Sequence, residues 1–337
     1  MSTSLKPTLA RLAQGETLSA AEAEAAFGIV MDGQATPAQI GGMLMAMRTR
    51  GETVPELTGV VTALRKRMAR VEAPPGAIDV CGTGGDGAAS LNISTAVTFV
   101  LAACGVPVAK HGNKALSSRS GGADVLAALG IGIEPPPDQL ADILRRVGCV
   151  FLFAPRHHPA LRHAASTRVE LGTRTIFNLT GPLANPAGVK RQLMGVYDKK
   201  WLYPVAETLR DLGSEAVWVV HGCGMDELVL EGENDVVSLQ NGTIRGFTVT
   251  AVDAGLSPSP ASSLKGGDAA YNAAALLALL RSEAGAYRDT VLLNAAAALV
   301  MAGHVHTLPQ GVAHAAQMID DGVALAVLER LKAASEV

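Results

Sequence analysis

The chain has 337 residues, long enough for one large domain or two smaller ones, and it is rich in small aliphatic residues with only 4 % aromatics. A formal charge of −3 leaves no global field to recruit nucleic acid or an anionic membrane. No uncharged apolar run approaches the roughly 18 residues of a membrane span, the start lacks an apolar signal core, and Cys81, Cys104, Cys149 and Cys223 are scattered without CxxC spacing. A cytoplasmic protein with reduced structural thiols is expected, without a zinc site or a disulfide framework.

Residues 1 to about 70 read as wholly helical. Ser19 with Glu22, Thr36 with Gln39 and Thr53 with Glu56 each place a hydroxyl three residues before a Glu or Gln, the spacing of a capping box. Between them, "IGGMLMAM" and "LTGVVTALRKRM" carry apolar residues at helical spacing. Pro74 and Pro75 in "VEAPPG" cannot continue a helix, so residues 1–72 are expected to form an α-helical domain and 73–337 an α/β domain, with a hinge around 72–76.

Beyond that point the pattern alternates. "AIDVCG", "VPVAKHG", "EAVWVVHG" and "DELVLEG" read as strands. "STAVTFVLAACG", "GGADVLAALG", "AAYNAAALLALLRS" and "DTVLLNAAAALVMAG" read as helices, and "GPLANPAG" as a loop. Alternation of this kind predicts an α/β fold with a mostly parallel central sheet covered on both faces.

The stretch "DVCGTGGDG" (79–87) sits between an expected strand and an expected helix, where glycines let backbone N–H groups converge on an anion. Gly82, Gly84 and Gly87 match the GxGxxG of dinucleotide-binding folds, and a plain strand–helix turn is the simpler alternative. A dinucleotide site needs an acid about 20 residues on. Here no Asp or Glu occurs between Asp86 and Asp124, which disfavours a nicotinamide-dependent dehydrogenase. That acid-free interval holds Lys110, His111, Lys114 and Arg119 among many Ser, Thr, Asn and Gly residues, and "NIST" falls where a helix should begin. A polyphosphate ligand accounts for all of these features together. The GxxxxGK[ST] loop of nucleoside-triphosphate hydrolases is absent. Asp226 and Glu227 follow the C-terminal end of the apolar strand "VWVVHG", the edge at which open α/β sheets bind ligands.

"GTGGDG", "NIST", "KHGNKALSSRSGGADVL", "RTIFNLTGPLANP", "HGCGMDEL" and "GGDAAYNAAALLALL" occur in the order found in anthranilate phosphoribosyltransferases, which this chain resembles over roughly residues 5 to 330. The resemblance implies transfer of the phosphoribosyl group of phosphoribosyl pyrophosphate (PRPP) to the amine of anthranilate, with Mg2+, in tryptophan biosynthesis. It also implies a cleft between the helical and α/β domains, a crossover segment near 162–192 that joins the helical domain, and a homodimer formed through that domain.

Site roles carry over as expectations of the resemblance. Gly82, Gly85, Asp86, Ser90, Asn92, Ile93, Ser94 and Thr95 resemble the PRPP cradle. Lys110, His111, Gly112, Asn113, Lys114, Ala115, Leu116, Ser117, Ser118 and Gly122 continue it. His111 and Asn113 fall where the substrates meet and act by positioning, although His111 equally fits a buried structural histidine. Gly82 and Asn113 also border anthranilate, with His158 and Pro182 as channel walls and Arg168 as partner of its carboxylate. Ser94, Asp226 and Glu227 are the expected magnesium ligands. Two positions depart from the family pattern: Lys114 stands where Arg is usual, and Gly122 where Ala or a small hydroxyl residue is common. The implied chemistry requires orientation and stabilisation of the departing pyrophosphate more than a strong base, in keeping with a sequence that announces no Ser–His–Asp or Cys–His set. A pyrimidine nucleoside phosphorylase is the nearest rival, disfavoured by "NLTGPLANP" with "GMDEL". A relative that binds nucleic acid should show a basic groove and a damaged metal site.

Overall fold

The structure is a computed structural model that describes residues 4–115 and 119–335; the expected site residues Leu116, Ser117 and Ser118 lie outside them. Four helices open the chain: α1 (Lys6–Leu12), α2 (Ala20–Met31), α3 (Pro37–Arg50) and α4 (Val54–Arg65). All three expected capping boxes form reciprocally, Ser19 with Glu22, Thr36 with Gln39 and Thr53 with Glu56. Each satisfies two N–H groups that a helix start would otherwise leave unpaired.

After the proline break come β1 (Ile78–Gly82), α5 (Ile93–Ala103), β2 (Val108–Gly112), α6 (Gly122–Ala128), α7 (Pro137–Val147) and β3 (Cys149–Phe153). A crossover follows, built of α8 (Ala154–His157), α9 (Arg162–Leu171) and α10 (Phe177–Leu183). The chain then returns through β4 (Arg191–Gly195), α11 (Leu202–Asp211), β5 (Ala216–Gly222), β6 (Asn234–Gln240) and β7 (Thr243–Val249). It closes with α12 (Ala269–Leu280), α13 (Ala286–Met301), α14 (Leu308–Asp320) and α15 (Val323–Ser335).

Among the described residues seven strands make one sheet in the order β3-β2-β1-β4-β5-β6-β7, parallel from β3 to β5 and antiparallel from β5 to β7. One apolar core lies between the sheet and α5, α7 and α12–α15. The other is continuous from Met194, Val217 and Val237 on the sheet, through α11, into α1–α4. The helical domain therefore shares its core with the α/β domain. The crossover ties them further: α9 packs on α2 and α3, α10 packs on α4, and the Phe27 and Phe177 rings meet edge-on at 5.4 Å. Around the expected hinge, Ala69 N–H donates to His157 O and Val71 N–H to Pro186 O. Among the described residues no helix is long and apolar enough to cross a membrane.

Two sequence expectations need correction. "DELVLEG" is not a strand. Its backbone is paired by side-chain amides instead: Asn294 bonds both the N–H and the C=O of Leu228, and Asn234 does the same for Val229, at 2.7–3.1 Å. The strands lie just beyond it, β6 and β7, joined at Asn241–Gly242 with φ of 49° and 81°. An Asn-Gly pair is the favoured hairpin turn because both central residues need positive φ. "GPLANPAG" is only partly a loop, since Gly181 to Leu183 complete α10 with Pro182 inside it.

Candidate active site

β1 and β4 end side by side, Gly82 opposite Gly195, at the C-terminal edge of the sheet where the strand order reverses. The turn after β5 folds Asp226 back onto both glycines, so closely that a Cβ on either would collide with it. Asp226 Oδ2 accepts from Gly84 N–H at 2.6 Å, and Asp226 N–H reaches Asp86 Oδ2 at 3.4 Å. Gly84 and Gly85, with φ of 67° and 73°, supply the left-handed turn that this wrapping requires. Next to it, Glu227 Oε1 accepts from Ser94 N–H at 3.2 Å in the first turn of α5.

Asp226 is buried, and Asp86 and Glu227 are half-buried beside it. Burial, then the charge of Asp86, pushes the Asp226 carboxyl up to about 7. Burial, then Asp226, pushes Glu227 up to about 8. A cluster of this kind is short of positive charge, and hard oxygen donors with high carboxylate pKa values fit a divalent cation. Among the described residues no group of three or more His, Cys, Asp or Glu side chains is arranged as a complete metal site.

The expected cradle residues gather around this point. Asn92 precedes α5 without capping it; its Oδ1 accepts from Asn272 Nδ2 at 2.8 Å and its carbonyl from Tyr287 Oη at 3.1 Å. Ile93 and Thr95 are buried in the helix, and Ser90 bridges to Lys265. Lys110 is only 4 % exposed and donates to Val80 O at 2.7 Å and Ser94 Oγ at 3.1 Å, so it backs the Ser94 hydroxyl from beneath. In the first turn of α6, Asp124 Oδ2 accepts from both Ala115 and Gly121 N–H at 2.9 Å. A Cβ at Gly122 would stand 3.1 Å from Thr95 Oγ1, so the larger family residues need a small shift there. Lys114 Nζ lies 5.8 Å from the Phe153 ring centre.

A cavity of about 1010 Å³ opens beside the glycine loop and is lined by Gly85, Asp86, Asn113, His158 and Arg168. It thus joins expected residues of both substrates, at the upper end of volumes typical of small-molecule sites. Asp226 and Glu227 adjoin it through the glycine loop and do not line it. Pro182 is not on its wall either: its carbonyl accepts from Gln192 Nε2 at 3.0 Å. The His111 and His158 rings are 5.1 Å apart and buried. Burial, then His158, pushes His111 well down, and burial, then His157, takes His158 to about 4, so both are neutral near pH 7. Neutral, buried rings suit walls and spacers. Arg168 lies 5.4 Å from the Phe177 ring centre, and burial lowers its pKa. Gly112 ends β2, where a Cβ would strike the Phe151 ring.

Two site features escaped the sequence. Arg174 lines the cavity, lies 4.1 Å over the Tyr197 ring, and approaches Gly85; its sequence signal was the proximity to Arg168 in "STRVELGTRT". Asp79 is a fully buried acid beneath the site, bonded to Asn185. Both lie in local sequence motifs, but the groups they touch come from other segments of the chain. Burial pushes the Cys81 thiol well up, and partial desolvation, then Glu231, raises that of the exposed Cys223, unlike nucleophilic cysteines.

Residues 6–68 match the helical bundle domain, and residues 74–325 the a/b domain, of a glycosyl transferase family. An anthranilate phosphoribosyltransferase of Mesorhizobium japonicum is 58 % identical over 327 residues, 97 % of each chain. The crystal structure of the anthranilate phosphoribosyltransferase of Thermus thermophilus superposes with a TM-score of 0.93 at 42 % identity, covering 98 % of this chain and 99 % of that one. The Saccharomyces cerevisiae enzyme, solved in complex with PRPP and Mg, gives 0.90 at 24 % identity over 99 % of each chain, a likeness of fold. By its sequence along almost its entire length and by its fold, this chain belongs to the anthranilate phosphoribosyltransferase family.

Proposed function

We propose that the chain joins anthranilate to PRPP, giving N-(5-phosphoribosyl)anthranilate and pyrophosphate, in the cytoplasm and as a step of tryptophan biosynthesis. The observation that carries this reading is the seating of Asp226 over Gly82 and Gly195, with Glu227 at the start of α5 beside the cavity that holds Asn113, His158 and Arg168. Asp226, Glu227 and the Ser94 hydroxyl would hold Mg2+, with further oxygens from water and substrate phosphate. When bound, the ion supplies Lewis-acid stabilisation of charge on the leaving pyrophosphate.

The chain's own residues then mainly orient. The glycine loop and the start of α5 offer N–H groups and a helix N-terminus to phosphate oxygens. Arg168 binds the anthranilate carboxylate, directing the amine towards ribose C1 near Asn113. The amine lone pair forms the N–C1 bond as the C1–O bond to pyrophosphate breaks, and the amine proton passes to solvent. The aromatic amine is unprotonated near neutrality, so no strong base is needed, and the neutral His111 and His158 serve as positioning walls. The helical body takes in residues 1–72 with the segment near 162–192, and pairing of two copies occurs through it. The packing of α9 and α10 on α2–α4 supports that grouping.

The test is the double substitution Asp226→Asn with Glu227→Gln. Turnover at saturating Mg2+ should fall at least about a hundredfold while circular dichroism is unchanged. Retained turnover would remove these acids from the mechanism.

A further inference from the structure

β1 and β4 pair over five positions, as do β2 and β3, but the pairing of β1 with β2 is confined to Ile78 opposite Val108. Ile78 N–H donates to Pro107 O, which sets the register of a parallel ladder. Continued, that register would send Val80 N–H to Ala109 O and His111 N–H to Val80 O. Side chains take these groups instead. Ala109 O accepts from Asn185 Nδ2 at 2.8 Å, Val80 O from Lys110 Nζ at 2.7 Å, and His111 N–H donates to Asp79 Oδ1 at 3.1 Å. Asp79 Oδ2 accepts from Asn185 Nδ2 at 2.7 Å and from Gln192 Nε2 at 3.5 Å, and the same Gln192 nitrogen reaches Pro182 O. Asp79, Asn185 and Gln192 are all at most 3 % exposed.

We infer that Asp79, braced by Asn185, is a positioning residue: it splits the ends of β1 and β2 and so sets where His111 to Asn113 stand relative to the glycine loop. A closed ladder would draw the end of β2 against β1, and the segment at which the two substrates meet would move with it. The carboxylate is suited to this task because it accepts from a backbone N–H on one oxygen and from two amides on the other. An amide in its place keeps the first bond but turns a donor against the donors of Asn185 and Gln192. The inference rests on the proposed function only for its effect on turnover.

Asp79→Asn should keep the fold and bind PRPP with Mg2+, by calorimetry, within about threefold of the parent. Its kcat should fall roughly 10- to 100-fold, the scale on which about 1 Å of misplacement acts. In an Asn113→Ala background the same substitution should cost much less, because both act on one alignment. Hydrogen exchange over residues 108–113 should speed up in Asp79→Asn, a readout independent of any reaction. Unchanged kcat, an equal loss in both backgrounds, or unchanged exchange would each overturn the inference. A parent protein that does not turn over at all would count against the proposed function and leave the exchange result to decide the split.

Discussion

The carboxylate of Asp226 occupies the space that a side chain at Gly82 would fill, and the N–H of Gly84 holds it there. This relationship explains why the glycine loop and the acid pair, with Gly84 and Asp226 lying 142 positions apart in sequence, form one site. Gly82→Ala should force the carboxylate aside, costing about 1–3 kcal/mol as overpacking. The proposed magnesium role of Asp226 predicts that the Mg2+ concentration for half-maximal turnover rises at least about tenfold, the scale on which losing the groups that orient metal ligands acts. A magnesium titration of parent and variant checks this; an unchanged midpoint would mean that the contact does not tune the metal.

The same contact marks the limit of what the sequence offered. The glycine loop, the start of α5 and the acids after β5 were legible because each is a local pattern: Gly spacing, a polar helix start, a charged turn after an apolar strand. Their convergence depends on β1 and β4 lying side by side, and strand order is not written in any window of the sequence. For the same reason the three capping boxes, which are closed within four residues, were readable, whereas the Asp79–Asn185 bond across 106 positions was not. "DELVLEG" misled because its apolar alternation is met by the amides of Asn234 and Asn294 in place of a neighbouring strand. The β6–β7 hairpin carried a usable signal, Asn241–Gly242, that the helix-and-strand reading passed over.

Arg168→Ala should raise the KM for anthranilate by roughly 10- to 100-fold, the worth of a charge-assisted bond of about 1.5–3 kcal/mol. The KM for PRPP should stay within about threefold. Steady-state kinetics with each substrate varied in turn decide it. Equal losses for both substrates would make the role of Arg168 structural.

His158 links stability to pH. Its pKa is about 4 in the folded chain, below the usual imidazole value, so between pH 6.5 and 4 the unfolded chain binds more protons. Stability from this group is therefore full at neutral pH and falls as pH drops through that window, by about 2 kcal/mol between pH 7 and 5. The raised Asp226 and Glu227 act with the opposite sign, favouring the folded state at lower pH, so the comparison must be made against a variant. In denaturant melts, the stability difference between parent and His158→Gln should shift against the parent from pH 7 to pH 5. A pH-independent difference would contradict the burial of a neutral ring.

Glu56 is fully buried and bonded to Arg50, to Thr53 and to Leu18 N–H, so one carboxylate ties together the ends of α3 and α4 and the segment before α2. Arg50→Ala removes its counter-charge and should destabilise the helical domain by about 3 kcal/mol. Thermal denaturation should register a drop of several degrees. An unchanged melting temperature would show that the remaining N–H donors suffice.

The central claim is that this site joins anthranilate to PRPP with a divalent cation, and the most direct measurement follows anthranilate fluorescence in the purified protein. The signal should disappear only when PRPP and Mg2+ are both present. Loss of signal without Mg2+, or no loss with folded protein, would contradict the account, and the second result would redirect attention to phosphorolysis of pyrimidine nucleosides.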